Sequence, residues 1–184
     1  MPDALTLVAC GAPLAARAHD VVAALTAVGW AITVVGTSAS RSWLDEAAVS
    51  RAAGRPPVFD HRDPGEPKRG PRPDFIVACP LTLNSGSKLA LGIMDSFAGG
   101  VLGEGLASST PLLAVPMVSD RIWRHPAWPG HLRFLREAGV RFLDPGTGAP
   151  DAAPVRSGTG DEIVAGFDPE WIVNAVGRPA PLCG

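Results

Sequence analysis

Four short polar clusters in this 184-residue chain each follow an apolar run, and each carries groups suited to an anion or a planar ring. The first, Cys10-Gly11-Ala12-Pro13, has the form of a turn between a strand and a helix N-terminus. There, free backbone N–H groups and the helix dipole favour a phosphate. It lacks the full G-x-G-x-x-G pattern, so an ordinary βα turn stays open. The second, Thr37-Ser38-Ala39-Ser40, offers hydroxyl and backbone donors to the same anion, or an N-cap to the helix that follows. The third, Cys79-Pro80-Leu81-Thr82-Leu83-Asn84-Ser85, enters a helix that carries Lys88, Gly92 and Asp95; its polar side chains either meet a planar ring or cap that helix. The fourth, Pro116-Met117-Val118-Ser119-Asp120-Arg121-Ile122-Trp123, turns Met117 and Trp123 toward the same crevice or into the core.

None of the four histidines has a cysteine or carboxylate at metal-ligand spacing, so no metal site is expected. Cys10, Cys79 and Cys183 are an odd set that fits a reducing cytoplasm.

The elements that must hold these clusters alternate. Leu5–Ala9 reads as a strand, Leu14–Val28 as a helix ended by Gly29, and Trp30–Gly36 as a second strand, which closes a right-handed βαβ unit. A helix over Ser42–Ala53 leads to a short strand, Val58–Asp60, that ends at His61. The loop Arg62–Pro73 is too rich in breakers for a regular element. Phe75–Cys79 and Leu112–Pro116 are further strands, separated by a helix running from Leu83 through Leu91 toward Leu102. Pro129–Ala138 reads as a helix, Val140–Leu143 as a short strand, and Asp168 as the cap of a last helix. The Gly/Ala/Pro/Ser-rich segment 146–160 reads as a flexible loop. This pattern predicts one α/β domain over 1–184, three-layered and Rossmann-like (flavodoxin-like). Its parallel sheet has helices on both faces and ligands at the carboxyl ends of its strands.

Composition narrows the partners. Apolar residues are 46% and charged residues 18%, a globular balance, and the apolar runs are too short to span a bilayer. Sixteen basic against 18 acidic residues leave a net charge of −2, and the basic residues are scattered apart from Lys68, Arg69 and Arg72, so nucleic acid is not expected.

At the four clusters the sequence resembles the homo-oligomeric flavin-containing cysteine decarboxylases, the family of phosphopantothenoylcysteine decarboxylase and the peptidyl-cysteine decarboxylases of lanthipeptide biosynthesis. Its segment A-P-x-T/S-A-N-T-x-x-K-x-x-x-G-x-x-D is met by Pro80, Thr82, Asn84, Lys88, Gly92 and Asp95, with Ser85 for threonine. Its P-x-M-N-x-x-M-W motif is met by Pro116 and Trp123, and Thr37, Ser40 and Trp43 match a further stretch. The resemblance implies FMN as cofactor. Its phosphate would lie near Gly11, Ala12, Thr37 and Ser40, and its ring near Trp43, Thr82, Asn84 and Met117. It also implies a homo-oligomer, a trimer or a dodecamer built of trimers.

The implied chemistry is oxidative decarboxylation of a cysteine. Loss of carbon dioxide from cysteine leaves a carbanion that no side chain stabilises, so the thiol-bearing carbon is first oxidised by the flavin to a thioaldehyde that accepts those electrons. His61 matches the family's active-site histidine, within one or two positions, and would bind or deprotonate the substrate. Ser119 stands where the family has the asparagine that contacts the substrate carboxylate, and Val118 and Ile122 replace its methionines. Ser157 stands where the pantetheine-pathway enzymes carry a flap cysteine that helps reduce the enethiol. Its absence favours release of the enethiol, as in making an aminovinyl-cysteine ring on a peptide that ends in cysteine. Asn84, Met117 and Ser157 are then substrate-binding residues. Phosphopantothenoylcysteine decarboxylase, or a flavin-binding partner or regulatory subunit without decarboxylase activity, are the alternatives.

Overall fold

In the computed structural model, which describes residues 3–66 and 72–179, the apolar runs form five parallel strands. β1 (Ala4–Ala9), β2 (Ala31–Gly36), β3 (Phe75–Leu81), β4 (Leu112–Pro116) and β5 (Arg141–Phe142) pair in the order β2-β1-β3-β4-β5. A parallel sheet covered on both faces needs continuous apolar strands. Every residue of β3 and β4 is accordingly buried.

One face is packed by α1 (Ala18–Ala27), α2 (Glu46–Ala53) and α8 (Glu170–Val176), which set Val22, Leu25, Val49 and Ile172 against Leu7 and Val77. The other is packed by α3 (Leu83–Ala90), α4 (Phe97–Ala107) and α6 (Trp128–Glu137), which set Leu89, Leu102 and Leu135 against Val8 and Ile76. Two short helices, α5 (Asp120–Trp123) and α7 (Gly160–Gly166), lie at the carboxyl ends of the strands, α7 against a 3-10 turn over Pro13–Arg17. The expected three-layer, flavodoxin-like α/β fold is the one observed. No helix among the described residues is long and apolar enough to cross a membrane. Lys68, Arg69 and Cys183 lie outside those residues.

Several elements differ from expectation for local reasons. The single helix expected from Leu83 toward Leu102 is two. Gly92 takes the left-handed φ of +70°, the Ile93 N–H turns back to the Lys88 carbonyl at 2.8 Å, and Ser96 Oγ restarts α4 by accepting the Gly99 N–H at 3.1 Å. Val58–Asp60 contributes only one parallel bridge, Val58 to Val35. The helix expected from Ser42 starts at Glu46, where Asp45 Oδ1 accepts the Ala48 N–H at 2.9 Å. Trp30 precedes β2 and donates its indole N–H to the Gly177 carbonyl at 2.9 Å. Asp168 serves the last helix as expected, accepting the Glu170 N–H at 3.0 Å. The 146–160 segment is tied at defined points: Asp144 Oδ1 accepts from Gly146 N–H at 2.8 Å and Thr147 N–H at 2.9 Å, and Val155 bridges to Ser119.

Candidate functional site

Chain order reverses between β1 and β3, and a sheet wound this way opens a crevice at the carboxyl ends there. A cavity of about 430 Å³ occupies that edge. Gly11 enters it after β1, Thr37 after β2, and Thr82 and Asn84 after β3, while Ser96, the cap of α4, and Gly99 within α4 also line it.

Sequence dictates the shape of these turns. A Cβ on Gly11 would lie 2.6 Å from Ala39 Cβ, so the first two turns meet only because residue 11 has no side chain. Thr37 N–H donates to the Ala9 carbonyl at 3.0 Å, and the Thr37 carbonyl accepts Ser40 N–H at 2.9 Å and Ser40 Oγ at 2.7 Å. Thr37 Oγ1, in contrast, is buried with no hydrogen-bond partner among the described residues. The N–H groups of Gly11, half-buried, and of Leu83 and the exposed Asn84 in the first turn of α3 also meet no acceptor among the described residues, as is usual at a helix start. A buried polar group is normally paired, and among the described residues lining this cavity Thr37 Oγ1 is the buried atom that is not. A cavity with this surplus of donors is completed by a ligand rich in acceptors, with phosphate foremost.

Thr82 caps α3, its Oγ1 accepting the Ser85 N–H at 3.3 Å and donating to Ser85 Oγ at 3.2 Å. Ser85 and Thr82 also hydrogen-bond the Cys10 thiol. Burial nevertheless outweighs those bonds and raises its pKa, and burial followed by the neighbouring Cys10 raises that of Cys79. Lys88 Nζ meets Asp95 Oδ2 at 2.6 Å across the break between α3 and α4, and both line the cavity. The hydrogen bond from Lys88 holds the Asp95 carboxyl below its usual range. In the sequence both residues belong to the segment that carries the family resemblance, but their pairing across Gly92 is visible only in the structure.

The other residues expected at the cofactor do not share that wall within one chain. Ala12 is buried with its N–H committed to the Cys10 carbonyl at 2.9 Å. Ser40 sits behind Thr37, fully buried. Trp43 follows the 3-10 turn Ser38–Ser42 and is 44% exposed. Met117 lies across the first turn, its sulfur accepting the Leu14 N–H at 3.2 Å. His61 is in a different place again. It lines a second cavity of about 490 Å³, with its ring edge-on to Phe97 at 5.3 Å. The Val58 bridge, which carries the chain along the outer edge of β2, sends it there.

Ser119 precedes α5 and makes no side-chain cap bond among the described residues, while its backbone bridges to Val155. Ser157 donates its N–H to Asp120 Oδ1 at 3.0 Å and its hydroxyl to the same oxygen at 2.5 Å. That hydroxyl bond is the main cause of an Asp120 carboxyl held below its usual range. Nothing in the sequence pattern marked Asp120.

A parallel sheet in this order, with a donor-rich cavity at its switch point, defines a nucleotide-type cofactor binder of the flavodoxin-like class. The chain belongs to the Flavoprotein family, whose model matches residues 2–165. It is 28% identical over 160 residues to the coenzyme A biosynthesis bifunctional protein CoaBC of Mycolicibacterium smegmatis, a match covering 83% of this chain and 38% of that one. The chain thus spans about two fifths of the length of that curated relative. Among solved structures it is similar to the FMN-dependent cysteine decarboxylase SpaF, with a TM-score of 0.66 and 25% identity over 94% of this chain and 97% of that one. It also shares the fold of a PPC decarboxylase mutant complexed with pantothenoylaminoethenethiol, with a TM-score of 0.70 and 19% identity over 96% and 97% of the two chains. The cofactor expected from the sequence, a flavin, is that of the family. The orphaned Thr37 hydroxyl and the unpaired N–H groups of Gly11, Leu83 and Asn84 fit its phosphate and ring acceptors.

Proposed function

We propose that this chain is an FMN-dependent oxidative decarboxylase of a peptide's C-terminal cysteine, releasing an enethiol. The observation that carries this choice is Ser157, a hydroxyl where a thiol would be needed to return hydrogen to the product, and one already engaged by Asp120. The likeness to SpaF over nearly the whole chain supports the same reading.

In it, the Gly11 N–H and the Thr37 hydroxyl hold the FMN phosphate, while Ala12 and Ser40, whose donors are committed to the Cys10 and Thr37 carbonyls, shape the two turns around it. Trp43, Thr82, Asn84 and Met117 surround the ring. A bound flavin would accept the hydride taken from the thiol-bearing carbon, the thiol giving up the accompanying proton. Asn84, Met117 and Ser157 bind the peptide, and Ser119 donates a hydrogen bond to its carboxylate. His61 takes up the thiol proton. Because His61 and Asn84 line different cavities within one chain, we assign His61 to the cavity of a neighbouring copy in a trimer-based homo-oligomer.

A second reading, phosphopantothenoylcysteine decarboxylase, is favoured by the CoaBC relatives. Product mass separates the two. With flavin-loaded protein and each substrate in turn, the first reading predicts a peptide lighter by carbon dioxide and two hydrogens. The second predicts phosphopantothenoylcysteine lighter by carbon dioxide alone. Bound flavin with neither product would overturn both and leave a flavin-binding partner subunit.

A further inference from the structure

The first residue of α5 is bonded at three points to the segment that follows β5. Asp120 N–H donates to the Val155 carbonyl at 2.7 Å, and Val155 N–H donates to the Val118 carbonyl at 2.9 Å, so residue 155 runs alongside the exit of β4. Asp120 Oδ1 then accepts both the N–H and the hydroxyl of Ser157. Beyond this point the chain reaches Gly160, where a Cβ would lie 3.2 Å from Pro13 Cγ and 3.9 Å from Met117 Cε. The segment therefore ends against the turn after β1 and the exit of β4.

We propose that Asp120 is a positioning residue whose carboxylate latches Ser157 and so seats residues 155–160 over the carboxyl ends of β1 and β4. That this is the substrate side of the site rests on the function proposed above; the latch itself does not.

The peptide bond after Arg156 reports on the latch. Arg156 is exposed, which suits trypsin, but its carbonyl accepts the Thr159 hydroxyl at 2.8 Å and the Thr159 N–H at 3.2 Å. Cleavage there waits for local opening, and its rate follows the population of the open form. In the flavin-loaded full chain, Asp120→Ala and Ser157→Ala should each speed the cut after Arg156 by about fivefold or more, with cuts elsewhere unchanged. Asp120→Asn keeps an acceptor oxygen of the same reach and should restore most of the protection lost in Asp120→Ala. In turnover, Asp120→Ala should raise KM for a cysteine-terminated peptide while flavin content stays at the wild-type level. Wild-type cleavage rates in both Asp120→Ala and Ser157→Ala would overturn the latch. Should Asp120→Ala fail to fold, Ser157→Ala, which removes one hydroxyl, decides alone. Proteolysis needs no turnover, so a wrong substrate assignment leaves this result intact.

Discussion

Ser40 and Thr37 lie side by side in the turn after β2, but only one of their hydroxyls is paired. Ser40 Oγ donates to the Thr37 carbonyl at 2.7 Å, whereas Thr37 Oγ1 is buried with no partner among the described residues. The first hydroxyl winds the turn. The second is left for something that enters the cavity.

Replacing Thr37 by Val tests that division. Valine keeps the shape and removes the orphaned hydroxyl, so the flavin-free protein should melt no lower than wild type. FMN affinity should fall roughly tenfold to a hundredfold, the loss of one hydrogen bond to a charged group. Fluorescence titration of FMN and a thermal melt of the apoprotein check both halves.

Gly11→Ala should damage the same site by a different route. Its methyl would come within 2.6 Å of Ala39 Cβ and 2.9 Å of the Ala39 backbone, forcing the first two turns apart. The expected cost is about 1–3 kcal/mol of stability, measured by urea unfolding, together with weaker FMN binding.

Much of this arrangement was legible in the sequence, because a strand buried on both faces leaves a continuous apolar run and the polar residues that follow it mark the strand's end. Leu5–Ala9 before Gly11, and Phe75–Cys79 before Thr82, located two walls of the cavity in this way. Lateral placement was not legible. His61 follows an apolar run like the others, but Val58 forms only a bridge at the outer edge of β2, so His61 lies beside Phe97 instead of Asn84. Likewise the apolar spacing from Leu83 toward Leu102 reads as one helix, and only the Gly92 dihedral and the Ser96 cap separate α3 from α4.

Cys10 and Cys79 should be chemically silent in the native protein. Burial pushes both thiols up, so neither supplies appreciable thiolate at mildly alkaline pH. Alkylation followed by peptide mass mapping should find both unmodified in the folded protein and modified after denaturation. Labelling of Cys10 in the folded protein would show that the Thr82–Ser85 side opens in solution.

Asp120 gives stability a pH dependence of defined sign. Its carboxyl is depressed chiefly by the Ser157 hydroxyl, with the Ser157 and Arg121 N–H groups and the Arg124 charge adding to it. A carboxyl depressed in the folded state contributes stability that is complete above its unfolded value and is lost as pH falls through the folded one. Wild type and Asp120→Asn should therefore differ in urea midpoint at neutral pH and converge on acidification below the usual carboxylate range. A gap that stays constant over that range would mean the carboxylate charge contributes nothing.

The most direct test of the oxidative chemistry is the absorption spectrum of the purified, flavin-loaded protein before and after anaerobic addition of a cysteine-terminated peptide. Bleaching of the flavin band, with the peptide losing carbon dioxide and two hydrogens, is the predicted result. A flavin band that persists while the peptide stays intact, or a protein that binds no flavin, would contradict it.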